Sequence, residues 1–145
     1  MSAKRLTPRR HKPSFVRRVP RLQKLEGVRM IKLVVMIKRK PGMSKEEFHR
    51  YWNGPHADQV LGCADFKRHI RRYVQSHVVT QEGIKLPWGV SDHDGQAELW
   101  FDSVDAMNTA FNEPSFLATV HPDDATFIDM AGCQLMVVEE IPKVG

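Results

Sequence analysis

Apolar residues recur with two different periods along residues 31–140, and the change of period marks the elements. Residues 31–39 are rich in Val and Ile and predict a buried strand, ended by Pro41-Gly42. Ser44-Lys45-Glu46-Glu47 is a capping box, with Ser44 at the N-cap and Met43 and Phe48 at the hydrophobic-staple positions. Phe48, Tyr51, Trp52, His56 and Val60 then follow at helical spacing. Gly54-Pro55 predicts a kink or a break in this helix, and Gly62 predicts its stop. Residues 69–79 predict a long strand with Ile70, Val74 and Val78 on one face and Tyr73, Gln75, His77 and Val79 on the other. A long loop over 80–94 ends in Asp94-Gly95, a turn signal. Residues 96–101 alternate Ala97, Leu99 and Phe101 against Gln96, Glu98 and Trp100. Ser103 is placed to cap a second helix interrupted at Pro114, His121-Pro-Asp-Asp reads as a loop, and residues 133–140 predict a fourth strand.

The order is β-α-β-β-α-β, so the predicted class is α+β with the ferredoxin-like arrangement: an antiparallel sheet with helices on one face. The other face would carry Met36, Tyr73, Trp100 and Met136 and needs a cover. A second copy of the chain is the economical one, so a homodimer is expected.

Charge divides the chain. Residues 1–29 hold ten of its 22 Lys and Arg but one of its 17 acids, with Pro8, Pro13 and Pro20 among them. They read as a disordered basic tail in front of a domain over 30–145, a stretch upstream of a natural start at Met30, with a basic arm for nucleic acid or an acidic surface and a targeting peptide as the alternatives. The net charge of +5 therefore comes from the tail. The domain itself is mildly acidic, which argues against a nucleic-acid partner. No apolar run is long enough to span a membrane. Cys63 and Cys133 have no paired spacing and follow no secretory signal, so two reduced thiols and a cytoplasmic location are expected.

The segments Met30 to Ser44, Glu47-Phe-His-Arg-Tyr-Trp52, His56-Ala57, Arg72-Tyr-Val-Gln-Ser-His77, Ala97-Glu-Leu-Trp-Phe101, Phe127-Ile-Asp129 and Val138-Glu-Glu140 together resemble the EthD family. The resemblance covers residues 30–140. It implies a dimeric α+β barrel with a pocket in each subunit. It also implies kinship with a methylmuconolactone methylisomerase and with fungal decarboxylases of polyketide pathways, which need no cofactor. A fold of this kind leaves the reaction open.

His56 shares the apolar face of the first helix with Trp52 and is a candidate general acid or base. It also stands where the methylisomerase-like relatives keep a catalytic histidine. Tyr73 and His77, with Gln75 between them, form a polar line that would orient a substrate carbonyl or phenol. Glu98 is expected to pair with Arg71 or His77, or to be an acid of raised pKa beside Trp100 in the pocket wall. Asp129 either caps a turn or orients His56. Trp88, in the long loop, would close over a ligand. The catalytic set is then His56, Tyr73, His77 and Asp129, and the substrate-binding set Trp52, Gln75, Trp88, Glu98 and Trp100. A metal site drawn from His56, His77, Glu98 and Asp129 lacks close ligand spacing, so no metal and no cofactor are expected. The expected activity is acid–base chemistry on a small aromatic, polyketide-like or lactone metabolite: isomerisation, decarboxylation or support of oxygenation. A non-catalytic accessory protein of an oxygenase and a haem or iron oxidoreductase are the alternatives.

Overall fold

The structure, a computed structural model, describes residues 30–145. The expected basic tail lies outside the described residues. Strand β1 (Ile31–Ile37) leads to helix α1 (Lys45–Tyr51), which begins where the capping box predicts. Ser44 Oγ accepts the Glu47 amide at 3.1 Å, and Glu47 Oε2 accepts the Ser44 amide at 2.9 Å. At Gly54-Pro55, where a kink or a break is expected, the helix makes one π-helical turn, Trp52–His56, and runs on into α2 (Ala57–Gly62). Pro55 has no amide hydrogen, and its ring would strike the carbonyl of Tyr51 in a regular helix. A wider turn relieves both problems, and Trp52 and His56 are both buried in it.

A short α3 (Ala64–Lys67) precedes β2 (Ile70–His77), and β3 (Gly95–Phe101) precedes α4 (Val104–Phe111). A second π-helical turn, Phe116–Val120, feeds α5 (His121–Phe127), and β4 (Gln134–Val138) closes the sheet. His121-Pro-Asp-Asp is thus a helix start and not a loop. Pro122 sits in the first turn, where its missing donor costs nothing, and Asp123 and Asp124 follow where negative charge is favoured. Three of the strands end inside their expected limits: β1 stops at Ile37, β2 runs only from Ile70 to His77, and β4 only from Gln134 to Val138.

The sheet order is β2-β3-β1-β4, and each paired neighbour is antiparallel. This is the ferredoxin-like arrangement, with the helices packed on the face that carries Leu33, Ile37, Leu99 and Phe101. A bulge between Ile70 and Arg72 shifts the register of β2. Ile70 then opposes Phe101 and Tyr73 opposes Leu99, so both face the helices. Strict alternation puts Tyr73 on the opposite face. The bulge corrects it by letting two residues occupy one step of the pleat. The outer face keeps Lys32, Met36, Glu98, Trp100 and Met136.

Asp94-Gly95 is not a turn. The buried Asp94 carboxylate accepts the Arg39 amide and the Arg39 guanidinium, each at 2.8 Å, and ties the end of the long loop to β1. Gly95 is needed because Trp52 fills the space beside it. A Cβ there would lie 2.5 Å from Trp52 Cζ3 and 2.7 Å from the Ser76 carbonyl oxygen. Gly95→Ala should therefore cost about 1–3 kcal/mol in urea unfolding, the usual cost of overpacking. An unchanged midpoint would show that Trp52 yields freely.

Candidate functional site

The π-helical turn aims His56 at the first turn of α5. Its Nδ1 lies 2.8 Å from Asp123 Oδ2, and both residues are buried. The Tyr51 hydroxyl donates to the other oxygen, Asp123 Oδ1. Thr126 Oγ1 donates to the Asp123 carbonyl at 2.7 Å. A carboxylate can only accept, so His56 donates from Nδ1, and Nε2 is the nitrogen left to face the cavity. Phe127 packs on the imidazole with ring centres 4.7 Å apart. His56 Nε2 lies 3.7 Å from Asp124 Oδ1. Burial pushes the Asp124 carboxyl up to about 6, with the Asp123 charge adding to the rise and His56 opposing it.

His56 and Asp124 line a cavity of about 130 Å³ between the sheet and the helices. The rest of the wall is largely apolar, with Trp52, Leu99 and Phe116 inside and the half-exposed Met130 at its edge. A void of about 150 Å³ with such walls takes a benzene-sized ring. Tyr73 lines the same cavity from the sheet, and burial pushes its phenol up. It also lines a more open polar groove with His49, Arg50, Asn53, Gln75 and His77. Gln75 Nε2 is 2.8 Å from the Tyr73 oxygen and 2.9 Å from the Trp52 carbonyl oxygen. His77 Nε2 is 2.9 Å from Gln75 Oε1, and His77 Nδ1 is 2.7 Å from His49 Nδ1.

The geometry brings His56, Trp52, Tyr73, Gln75 and His77 to one side of the sheet and separates the others from them. Asp129 does not reach His56. It caps the turn before β4, its Oδ1 accepting the Gly132 amide at 3.3 Å, while Asp123 takes the orienting position. Glu98 pairs with neither Arg71 nor His77. It meets Lys32 at 2.8 Å on the outer face, while Arg71 binds Asp102. Trp100 lies on that face too, under Lys32 and Arg72. Trp88 is 76% exposed and does not line the cavity. Alternation along β3 sets Glu98 and Trp100 opposite Leu99, whereas the bulge in β2 carries Tyr73 to the Leu99 side. Sequence reasoning missed Asp123, Asp124, Tyr51 and His49. A proline followed by two acids is a helix-start signal that would have placed the first two. Among the described residues no cluster of three or more His, Cys, Asp or Glu is arranged to hold a metal ion. None of their helices is long and apolar enough to cross a membrane.

A ferredoxin-like domain with a histidine–carboxylate pair at an apolar cavity is the class that this fold and site define. The EthD domain matches residues 40–131, and the chain belongs to that family. It is 26% identical over 106 residues to the dehydratase ustZ of Ustilaginoidea virens, covering 68% of this chain and 75% of that protein. Its fold is similar to that of an EthD family protein from Bacillus halodurans, with a TM-score of 0.57 and 20% identity over 77% of this chain and 99% of the other. It is also similar to a dimeric protein of unknown function from Bacteroides fragilis, with a TM-score of 0.57 and 14% identity over 77% and 96% of the two chains.

Proposed function

We propose that the chain is a proton-transfer enzyme for a small, largely apolar carbonyl compound, and that the reaction eliminates water. The observation that carries this reading is the pairing of His56 Nε2 with Asp124 at 3.7 Å on an apolar cavity. One group takes a proton while its neighbour gives one, and neither needs a cofactor. His56 removes the proton on the carbon next to the carbonyl. The electron pair forms the new double bond and the β-hydroxyl departs with the Asp124 proton as water. The proton on His56 then passes to the Asp124 carboxylate and the site is reset. Asp123 holds the imidazole in the required tautomer and stabilises its charged form. Elimination is preferred to the isomerisation and decarboxylation that the same groups would serve because the curated relative is a dehydratase.

Asp124 must be protonated to act as the acid, so kcat/KM should fall as pH rises above about 6. The test is a panel of small cyclic β-hydroxy ketones and lactones in D2O, read by NMR for water loss and for deuterium entry beside the carbonyl. Loss of water from at least one, with that pH dependence, is expected. No exchange and no elimination across the panel would end the reading.

The same reading takes the protein to be a homodimer, the outer sheet faces covering one another. Met136 there is 55% exposed, and Trp100 is covered by the polar side chains of Lys32, Arg72 and Glu140. Light scattering should give about twice the 16.7 kDa chain mass. A monomer at micromolar concentration would leave that face unexplained.

A further inference from the structure

Hydrogen-bond bookkeeping around Gln75 fixes the polarity of the cavity wall. The Trp52 carbonyl can only accept, so the Gln75 atom 2.9 Å from it must be the amide nitrogen. That same nitrogen faces the Tyr73 oxygen at 2.8 Å, and an amide nitrogen only donates. The Tyr73 oxygen is therefore an acceptor here, and its own hydrogen must point elsewhere. The amide is not free to turn over. Its oxygen is held by His77 Nε2 at 2.9 Å, which must donate. Neutral His77 then has its lone pair on Nδ1, where His49 Nδ1–H donates at 2.7 Å. Burial, with the nearby His49 adding to it, holds the His77 pKa down and favours that neutral ring. Every member of the chain His49, His77, Gln75, Tyr73 thus has one direction, and it ends on a phenol whose hydrogen is unspent.

We infer that Tyr73 is a dedicated hydrogen-bond donor to the ligand, oriented by Gln75, His77 and His49, so that the cavity selects an acceptor oxygen at that wall, a carbonyl foremost, over an apolar group. This rests on reading the cavity as the substrate site and narrows its substrate to ketones, esters or lactones whose reacting carbon lies toward His56. Tyr73 touches the substrate. Gln75, His77 and His49 are positioning residues.

The experiment compares acetophenone with its hydrocarbon isostere α-methylstyrene and with phenol, each titrated into the full chain and followed by NMR. Acetophenone should bind about 2- to 12-fold more tightly than α-methylstyrene, the worth of one net hydrogen bond. Tyr73→Phe should erase that ratio while leaving α-methylstyrene binding in place. His77→Leu leaves the Gln75 amide held by the Trp52 carbonyl alone, so the ratio should shrink, with Tyr73 itself still present. A merely structural role for His77 would weaken all three probes alike. Equal binding of the two isosteres, or a ratio that survives Tyr73→Phe, would overturn the donor assignment, and a ratio unchanged in His77→Leu would overturn the positioning role of His77. Binding of no probe at the cavity residues would overturn the cavity as the substrate site, and the donor assignment with it. Turnover enters none of these readouts, so loss of the elimination chemistry would leave the polarity rule standing.

Discussion

His56→Gln is expected to lower turnover by about 10²–10⁴-fold, the usual worth of one general acid or base. The reason is positional as much as chemical. The π-helical turn at Gly54-Pro55 buries the imidazole, Asp123 takes its Nδ1 hydrogen at 2.8 Å, and Nε2 is left beside Asp124. Glutamine fills similar space and can still donate to Asp123, but its amide cannot take a proton near neutral pH. The fold should therefore survive. The measurement is steady-state turnover of whichever ketone or lactone the panel identifies, beside thermal unfolding of the same variant. Full turnover with a lowered melting temperature would make His56 a structural residue.

Asp124→Asn should act in opposite directions on activity and stability. Its carboxyl is carried from an ordinary 3.8 to about 6, chiefly by burial. The folded state then binds the proton more tightly than the unfolded chain. The stability this gives is fully present below pH 3.8 and is lost as pH rises through about 6. Such a shift corresponds to at most about 3 kcal/mol, and partial exposure of the side chain reduces it to about 1–3 kcal/mol. The asparagine variant carries no such charge. Above pH 6 it should be the more stable protein by about that amount, while its elimination activity is lost with the acid. Unfolding of both proteins in urea between pH 4 and 8 tests this, because carboxylates common to the two cancel in the difference. A difference that does not change with pH would show that Asp124 is ordinary in both states.

The two experiments also separate His56 from Asp124. If His56→Gln abolishes turnover while Asp124→Asn leaves it intact, water or substrate supplies the departing proton. If Asp124→Asn stabilises the protein and abolishes turnover, a partly buried carboxyl is retained at a cost to the fold, as expected of a functional group.

The elements themselves were legible where local chemistry decides. The capping box and staple at Ser44 and Phe48 set the start of α1, and the alternation of Ala97, Leu99 and Phe101 set the faces of β3. Both depend on neighbours within a few residues, so both survive in a linear reading. The inward facing of His56 was legible for the same reason, through its four-residue step from Trp52. The order of elements then implied the ferredoxin-like sheet.

Other features depended on a register or a contact that no local pattern encodes. One extra residue at the bulge after Ile70 reversed the face of Tyr73, Gln75 and His77 relative to Ile70. That reversal put the polar line against the helices and left Glu98 and Trp100 on the other side. Asp123 is 67 residues from the imidazole it holds, and of the two roles expected of Asp129 the structure shows the turn cap. The direction of the His49, His77, Gln75 and Tyr73 chain needs two elements in contact, since a histidine alone does not say which nitrogen carries its proton. The sequence by itself determined most of the segments that are helix or strand, the start of α5 at His121 excepted, and which of their residues are apolar, because backbone preference and burial pattern act locally. Only the tertiary structure decided which carboxylate meets which imidazole, because hydrogen bonds of about 3 Å between distant segments depend on the summed geometry of every turn between them.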